Sequence, residues 1–165
     1  MFNVYLYVMD TMADWEVGHI TTELNSKRFF KKDAPEVSFK TVGISKEAVK
    51  SMGGLTIVPD CVIDENSVLL LPGSDVWSEP EHLEIINTAY ELISCECSVC
   101  AICGATVALA HAGILDNRPH TSNGEGFLEM FCPTYKGKDF YVDEPSVCDG
   151  NLITAAPTAS LLWAK

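Results

Sequence analysis

Four of the chain's seven cysteines fall inside "SCECSVCAICGAT", residues 94–106. Thiols in this density have three chemistries open to them: metal ligation, disulfide pairing and nucleophilic attack as the thiolate. Cys97, Cys100 and Cys103 are spaced like the opening of an iron–sulfur loop. Yet Val107 stands where the next cysteine should be, and the Cys-Pro pair at Cys132 is far downstream. "SVCAIC" reads as a strand, whose residues three apart face opposite ways, so Cys100 and Cys103 are not expected to share a metal. No second CxxC pair exists elsewhere to complete a zinc site, and no metal or cofactor is expected. An odd cysteine count without regular spacing also argues against a secreted disulfide framework. Cys95, Cys97 and Cys100 read as small apolar residues.

Cys103 stands apart. It lies where an apolar strand stops and "GATVALA" starts a helix, with Gly104 immediately after it. A strand-to-helix turn this tight lifts its central side chain out of the sheet. The helix N-terminus then favours thiolate over thiol, and the backbone N–H groups there suit an oxyanion. The expected chemistry is attack of sulfur on an electrophilic carbon, or oxidation of the sulfur itself.

The elements that must position this cysteine alternate. "NVYLYV" and "EVSFKTVGI" are strand-like, and "SVLLLPGSD" is a continuous apolar run ending in Pro-Gly, the pattern of a strand buried on both faces. "TMADWEVGHITTELN", with apolar Trp15, Ile20 and Leu24, predicts a helix, as do "SEPEHLEIINTAYELIS" and "GATVALAHAGIL". "GFLEMF" predicts a short helix. "KSMGGLTIVPDCVI" predicts a small hairpin excursion, and "FYVDEPSVCDGNLITAA" two strands about an Asp-Gly turn. Alternating strands and helices predict one doubly wound α/β domain over residues 1–165, a mostly parallel sheet sandwiched by helices. Ligands in such folds sit at the carboxyl ends of the strands. "TASLLWAK" starts a helix that ends after two turns, as though cut short, with Leu161, Leu162 and Trp163 on a segment too short to hold alone.

The formal charge of −12 argues against nucleic-acid and anionic-membrane partners, which call for basic surfaces. The basic stretch "SKRFFKKD" reads as a helix end and solvated turn. The apolar runs are strand-length, short of a membrane span, and "MFNVYLYVMD" lacks the features of a signal peptide, so a cytoplasmic location is expected.

The pieces "NVYLYVMDTMADWE", "SVLLLPGSD", "SVCAICGATVALAHAGILDNR" and "GNLITAAPTAS" together resemble the ThiJ/PfpI family of the class I glutamine amidotransferase-like superfamily. The elbow "AICGAT" followed by "LAHAGIL" is the most specific part. The resemblance implies a flavodoxin-like sandwich, a homodimer and a reactive elbow cysteine at Cys103. It implies that Glu16 of "DWEVG" brings its carboxyl to that sulfur, where alone it would read as an exposed helix-start acid. It also implies that Ser74, in the Pro72-Gly73-Ser74 turn, and Gly104 supply the oxyanion N–H groups. A glutamate beside a thiolate should titrate as a coupled pair sharing one proton.

Two features depart from the family pattern. Gly104 follows the cysteine where peptidase-like members carry histidine, and "RPHTSN" places Asn123 where many members carry one. His120, three residues earlier, faces the other way on a strand unless a bulge intervenes. His111 lies about 12 Å along the elbow helix, too far to serve as base. Three functions follow. The first is a cysteine enzyme acting on a small carbonyl or amide substrate, of hydrolase, amidotransferase or deglycase type. The second is a stress-response protein whose cysteine meets an oxidant. The third is an inactive dimeric scaffold.

Overall fold

A computed structural model describes residues 2–60 and 67–164. Cys61, with the end of the expected hairpin excursion, lies outside the described residues. Six strands form one sheet in the order β2-β1-β5-β6-β8-β7. They are β1 (Phe2–Tyr7), β2 (Val37–Val42), β5 (Val68–Leu71), β6 (Val99–Ile102), β7 (Ser146–Asp149) and β8 (Leu152–Ala155). All pairs are parallel except β7–β8, the hairpin about Asp149-Gly150, where Gly150 takes φ +61°. The excursion is a separate antiparallel pair, β3 (Val49–Lys50) with β4 (Thr56–Ile57).

The central strands are buried on both faces, which explains their unbroken apolar runs: Leu69, Leu70 and Leu71 of β5, and Val99, Ala101 and Ile102 of β6, are all but inaccessible. Helices α1 (Asp14–Ser26), α2 (Leu83–Ser94), α3 (Gly104–His111), α4 (Phe127–Phe131) and α5 (Ser160–Trp163) flank the sheet. A 3₁₀ turn, Pro80–His82, leads into α2. The four-residue α5 packs on α1 and buries Trp163, while Leu161 and Leu162 stay exposed. No helix among the described residues is long and apolar enough to cross a membrane.

On α1 the expected apolar face differs in part from the observed one. Ile20 and Leu24 pack partly buried against the core as expected, but Trp15 is 54% exposed, and the buried residues are Val17 and the carboxylate Glu16. The chain leaves β1 toward β2 on one side and passes from β5 toward β6 on the other, so the direction of winding reverses between β1 and β5. A crevice opens at the carboxyl ends of the strands beside such a reversal.

Candidate active site

Three strand ends meet at this crevice. Strand β1 leads into the N-terminus of α1 and Glu16, β5 into Pro72-Gly73-Ser74, and β6 into Cys103. The elbow is strained: Cys103 adopts φ 56°, ψ −124°, a region that non-glycine residues rarely visit and that marks functional sites when the surroundings enforce it. Three bonds enforce it here. Cys103 N–H donates to Ala155 O at 3.0 Å, and Thr106 Oγ1 donates to Cys103 O at 2.6 Å. Thr106 Oγ1 is also paired with Ser122 Oγ at 2.7 Å.

Glu16 is wholly buried. Its Oε2 accepts the Gly73 N–H at 2.7 Å, its carboxyl meets the Cys103 thiol, and Oε1 has no partner in hydrogen-bond geometry. Burial raises the carboxyl above its ordinary range, against the opposing pull of the Gly73 and Cys103 hydrogen bonds. Asn123 Nδ2 donates to Cys103 Sγ at 3.3 Å, and the Gly104 N–H also points at the sulfur. Burial first, and the Glu16 charge second, push the Cys103 thiol up to about 11. Both causes oppose the thiolate that the Asn123 and Gly104 hydrogen bonds favour. With both groups raised, the pair retains a proton at neutral pH.

The Pro72–Ser74 turn is fastened from several sides. Trp77 Nε1 donates to Pro72 O at 2.8 Å, Ala13 N–H to Gly73 O at 2.9 Å, and Ser74 Oγ to Asp10 O at 2.7 Å. Thr11, itself at φ 57°, receives the Asp75 N–H on its hydroxyl at 3.0 Å. The turn and the elbow nearly touch: a Cβ built on Gly104 would lie 3.0 Å from Ser74 O and 3.4 Å from Ser74 N. Thr11 and Trp77 escaped the sequence reading, because their role exists only once β1 and β5 lie side by side.

These groups border a cleft of about 340 Å³, walled by Trp15, Met52, Trp77, Val107, Phe127 and Phe131. The structure brings Cys103, Glu16, Ser74, Gly104 and Asn123 to it. It does not bring His120, which is fully buried with Nδ1 2.8 Å from Arg118 O and Nε2 2.6 Å from Tyr135 Oη. His111 does border the cleft, exposed, with Nε2 3.1 Å from Phe131 O and Nδ1 3.4 Å from Cys132 Sγ. Cys100 is buried in the sheet and pushed up to about 12, the behaviour of an inert thiol.

A sequence profile of the DJ-1/PfpI family matches residues 2–165. The chain is 44% identical to "Uncharacterized protease YoaZ" of Bacillus subtilis, over 98% of this chain and 79% of that protein. The crystal structure of a thiJ/pfpI family protein from Bacillus anthracis superposes with a TM-score of 0.92 at 45% identity, covering 98% of this chain and 79% of that one. The DJ-1 superfamily protein Atu0886 from Agrobacterium tumefaciens superposes at 0.84 and 26% identity, covering 99% and 86%.

Proposed function

The chain belongs to the DJ-1/PfpI family, and we propose that it is a cysteine-dependent enzyme acting on a small carbonyl or amide substrate, with Cys103 as nucleophile and Glu16 as its proton partner. One observation carries this reading. A fully buried carboxyl with a raised proton affinity meets a thiol held on a strained elbow, at the base of a cleft. Burying an acid this way costs stability, and the chemistry it equips is proton transfer.

In this reading Glu16 takes the thiol proton as sulfur attacks the substrate carbonyl carbon. Its raised affinity makes it a stronger base than an exposed glutamate. Charge developing on the carbonyl oxygen meets the N–H groups of Gly104 and Ser74, and Asn123 steadies the sulfur. For an amide, collapse expels the amine, which takes the proton back from Glu16, and water then hydrolyses the thioester. The aromatic and aliphatic cleft walls favour a substrate with an apolar group beside its carbonyl. The oxidant-sensing alternative is less well supported, because it draws on an accessible thiolate and here burial and the Glu16 charge oppose one. The homodimer and the cytoplasmic location belong to the same proposal, the former open to light scattering.

The test is a panel of small amides, esters, thioesters and aldehydes, run with the parent, Cys103→Ser and Glu16→Gln. Turnover that disappears with Cys103→Ser and falls about 10²–10⁴-fold with Glu16→Gln is expected. Undiminished turnover in Cys103→Ser would refute the reading.

A further inference from the structure

Glu79, Glu81 and His82 surround the 3₁₀ turn that opens α2, outside the Cys103 cleft. One ring nitrogen of His82 and one carboxylate oxygen from each glutamate all lie within 4.8 Å of one another. Ligand atoms about 2 Å from a shared cation require only a modest contraction of this spacing. We propose that these three residues bind a divalent first-row transition-metal cation, with Zn²⁺ as the representative case.

Exposed acids alone would not carry this; the histidine does. His82 is 3% exposed, and its Nε2 is buried with no hydrogen-bond partner. Its other nitrogen, Nδ1, lies 2.8 Å from Tyr7 Oη. When Nδ1–H donates to the tyrosine oxygen, the Nε2 lone pair is left free. This is the usual outer-shell arrangement of a metal-bound imidazole, whose far N–H is fixed by an oxygen acceptor.

The surroundings match. His82, Glu79 and Glu81 border a cavity of about 270 Å³ that Asp10 and Glu47 also line, and none of its lining residues is a lysine or arginine. Four carboxylates around one hollow concentrate cations there. A set of one imidazole and carboxylates suits Zn²⁺, Co²⁺ or Mn²⁺ better than the all-oxygen preference of Ca²⁺ and Mg²⁺. The Trp77 ring packs 5.8 Å from the His82 ring, and the same indole holds Pro72 and walls the cleft. A cation here would brace the outer wall of the cleft without touching the reacting atoms.

The test is calorimetric titration of the metal-free protein with Zn²⁺, run on the parent, on Glu79→Gln/Glu81→Gln and on His82→Gln. Both glutamates are exposed, so the double variant is expected to fold. Because thiols also take Zn²⁺, a parallel Co²⁺ titration reads whether a thiolate-to-cobalt charge-transfer band develops. One equivalent bound by the parent, weakened at least tenfold in the double variant and without that band, is the expected result. Absence of binding, equal affinity in the double variant, or a sulfur band accounting for the bound equivalent would overturn the proposal. Should His82→Gln fail to fold, the double variant still decides.

Discussion

Gly73 donates its backbone N–H to Glu16 Oε2 at 2.7 Å, a bond across 57 positions of sequence that aims a buried carboxyl at the elbow cysteine. The bond requires that residue 73 have no side chain. A Cβ there would lie 2.7 Å from Oε2, 2.9 Å from Oε1 and 2.9 Å from Cys103 Cβ, each closer than real contacts allow. Gly73→Ala must push the carboxyl or the elbow aside. Misplacement of about 1 Å at a reacting group costs on the order of 10²-fold in rate. Turnover measured beside circular dichroism is expected to show a loss of that order with the fold retained. Near-parental activity would show that the Glu16 carboxyl need not sit where Gly73 holds it.

Glu16 also makes stability depend on pH. Its folded-state proton affinity is raised above the ordinary 4.5, so the folded protein holds that proton more tightly than the unfolded chain does. Its contribution is fully present below pH 4.5 and is lost as pH rises through the raised value. Cys103 acts in the same direction between its ordinary 9.0 and about 11. Glu16→Gln removes the first loss, so it should melt above the parent at pH 7, with the gap closing toward pH 4. For a domain of this size each 1 kcal/mol moves the melting temperature by about 2–4 °C. A gap independent of pH in thermal scans would contradict a raised proton affinity at the buried carboxyl.

Asn123 is expected to tune the sulfur rather than to accept its proton, since an amide has no basic site. The Nδ2 bond of 3.3 Å favours the thiolate, and Oδ1 is buried with no partner. In Asn123→Leu both polar atoms go together, so the stability cost is small, while the thiol loses a charge-assisted bond. A loss of about 1.4 kcal/mol would lower the thiolate fraction tenfold at fixed pH. Iodoacetamide labelling of Cys103 at pH 9, followed by peptide mass spectrometry, should slow by about that factor. Unchanged labelling would mean that the contact does not act on the thiolate.

What could be read before the fold was known, and what could not, divides along physical lines. The unbroken apolar runs of β5 and β6 announce strands covered on both faces, and Gly104 after Cys103 announces a tight strand-to-helix elbow, because both signals are local. Glu16 is the opposite case. An acid in the first turn of a helix is ordinarily solvated, and nothing within α1 tells that Trp15 would face the cleft while the carboxylate went inward. That inversion is set by Gly73, delivered from another strand. Resemblance could single out Glu16, where periodicity could not. The raised thiol of Cys103 was equally hidden, since helix-end electrostatics are local but burial is a property of the assembled crevice.

His120 separates structural from chemical histidines. It is fully buried between Arg118 O and Tyr135 Oη, and the Tyr135 and Tyr141 rings lie edge-on at 5.6 and 6.0 Å. With Nδ1–H donating to the carbonyl, Nε2 accepts from the tyrosine, so both ring nitrogens are used away from the cleft. Burial lowers its proton affinity below the ordinary 6.5. A depressed histidine contributes stability that is present above pH 6.5 and lost as pH falls through the folded value, because the unfolded chain takes up the proton first. His120→Ala therefore leaves a cavity and two polar groups without partners, a combined cost of about 2–4 kcal/mol in denaturant melts at pH 7. The penalty should shrink toward pH 5, where the parent has lost part of what the histidine contributed. The pH profile of Cys103 alkylation should stay that of the parent throughout. A shifted profile in a folded His120→Ala protein would bring this histidine into the chemistry and displace Glu16 as the group that receives the thiol proton.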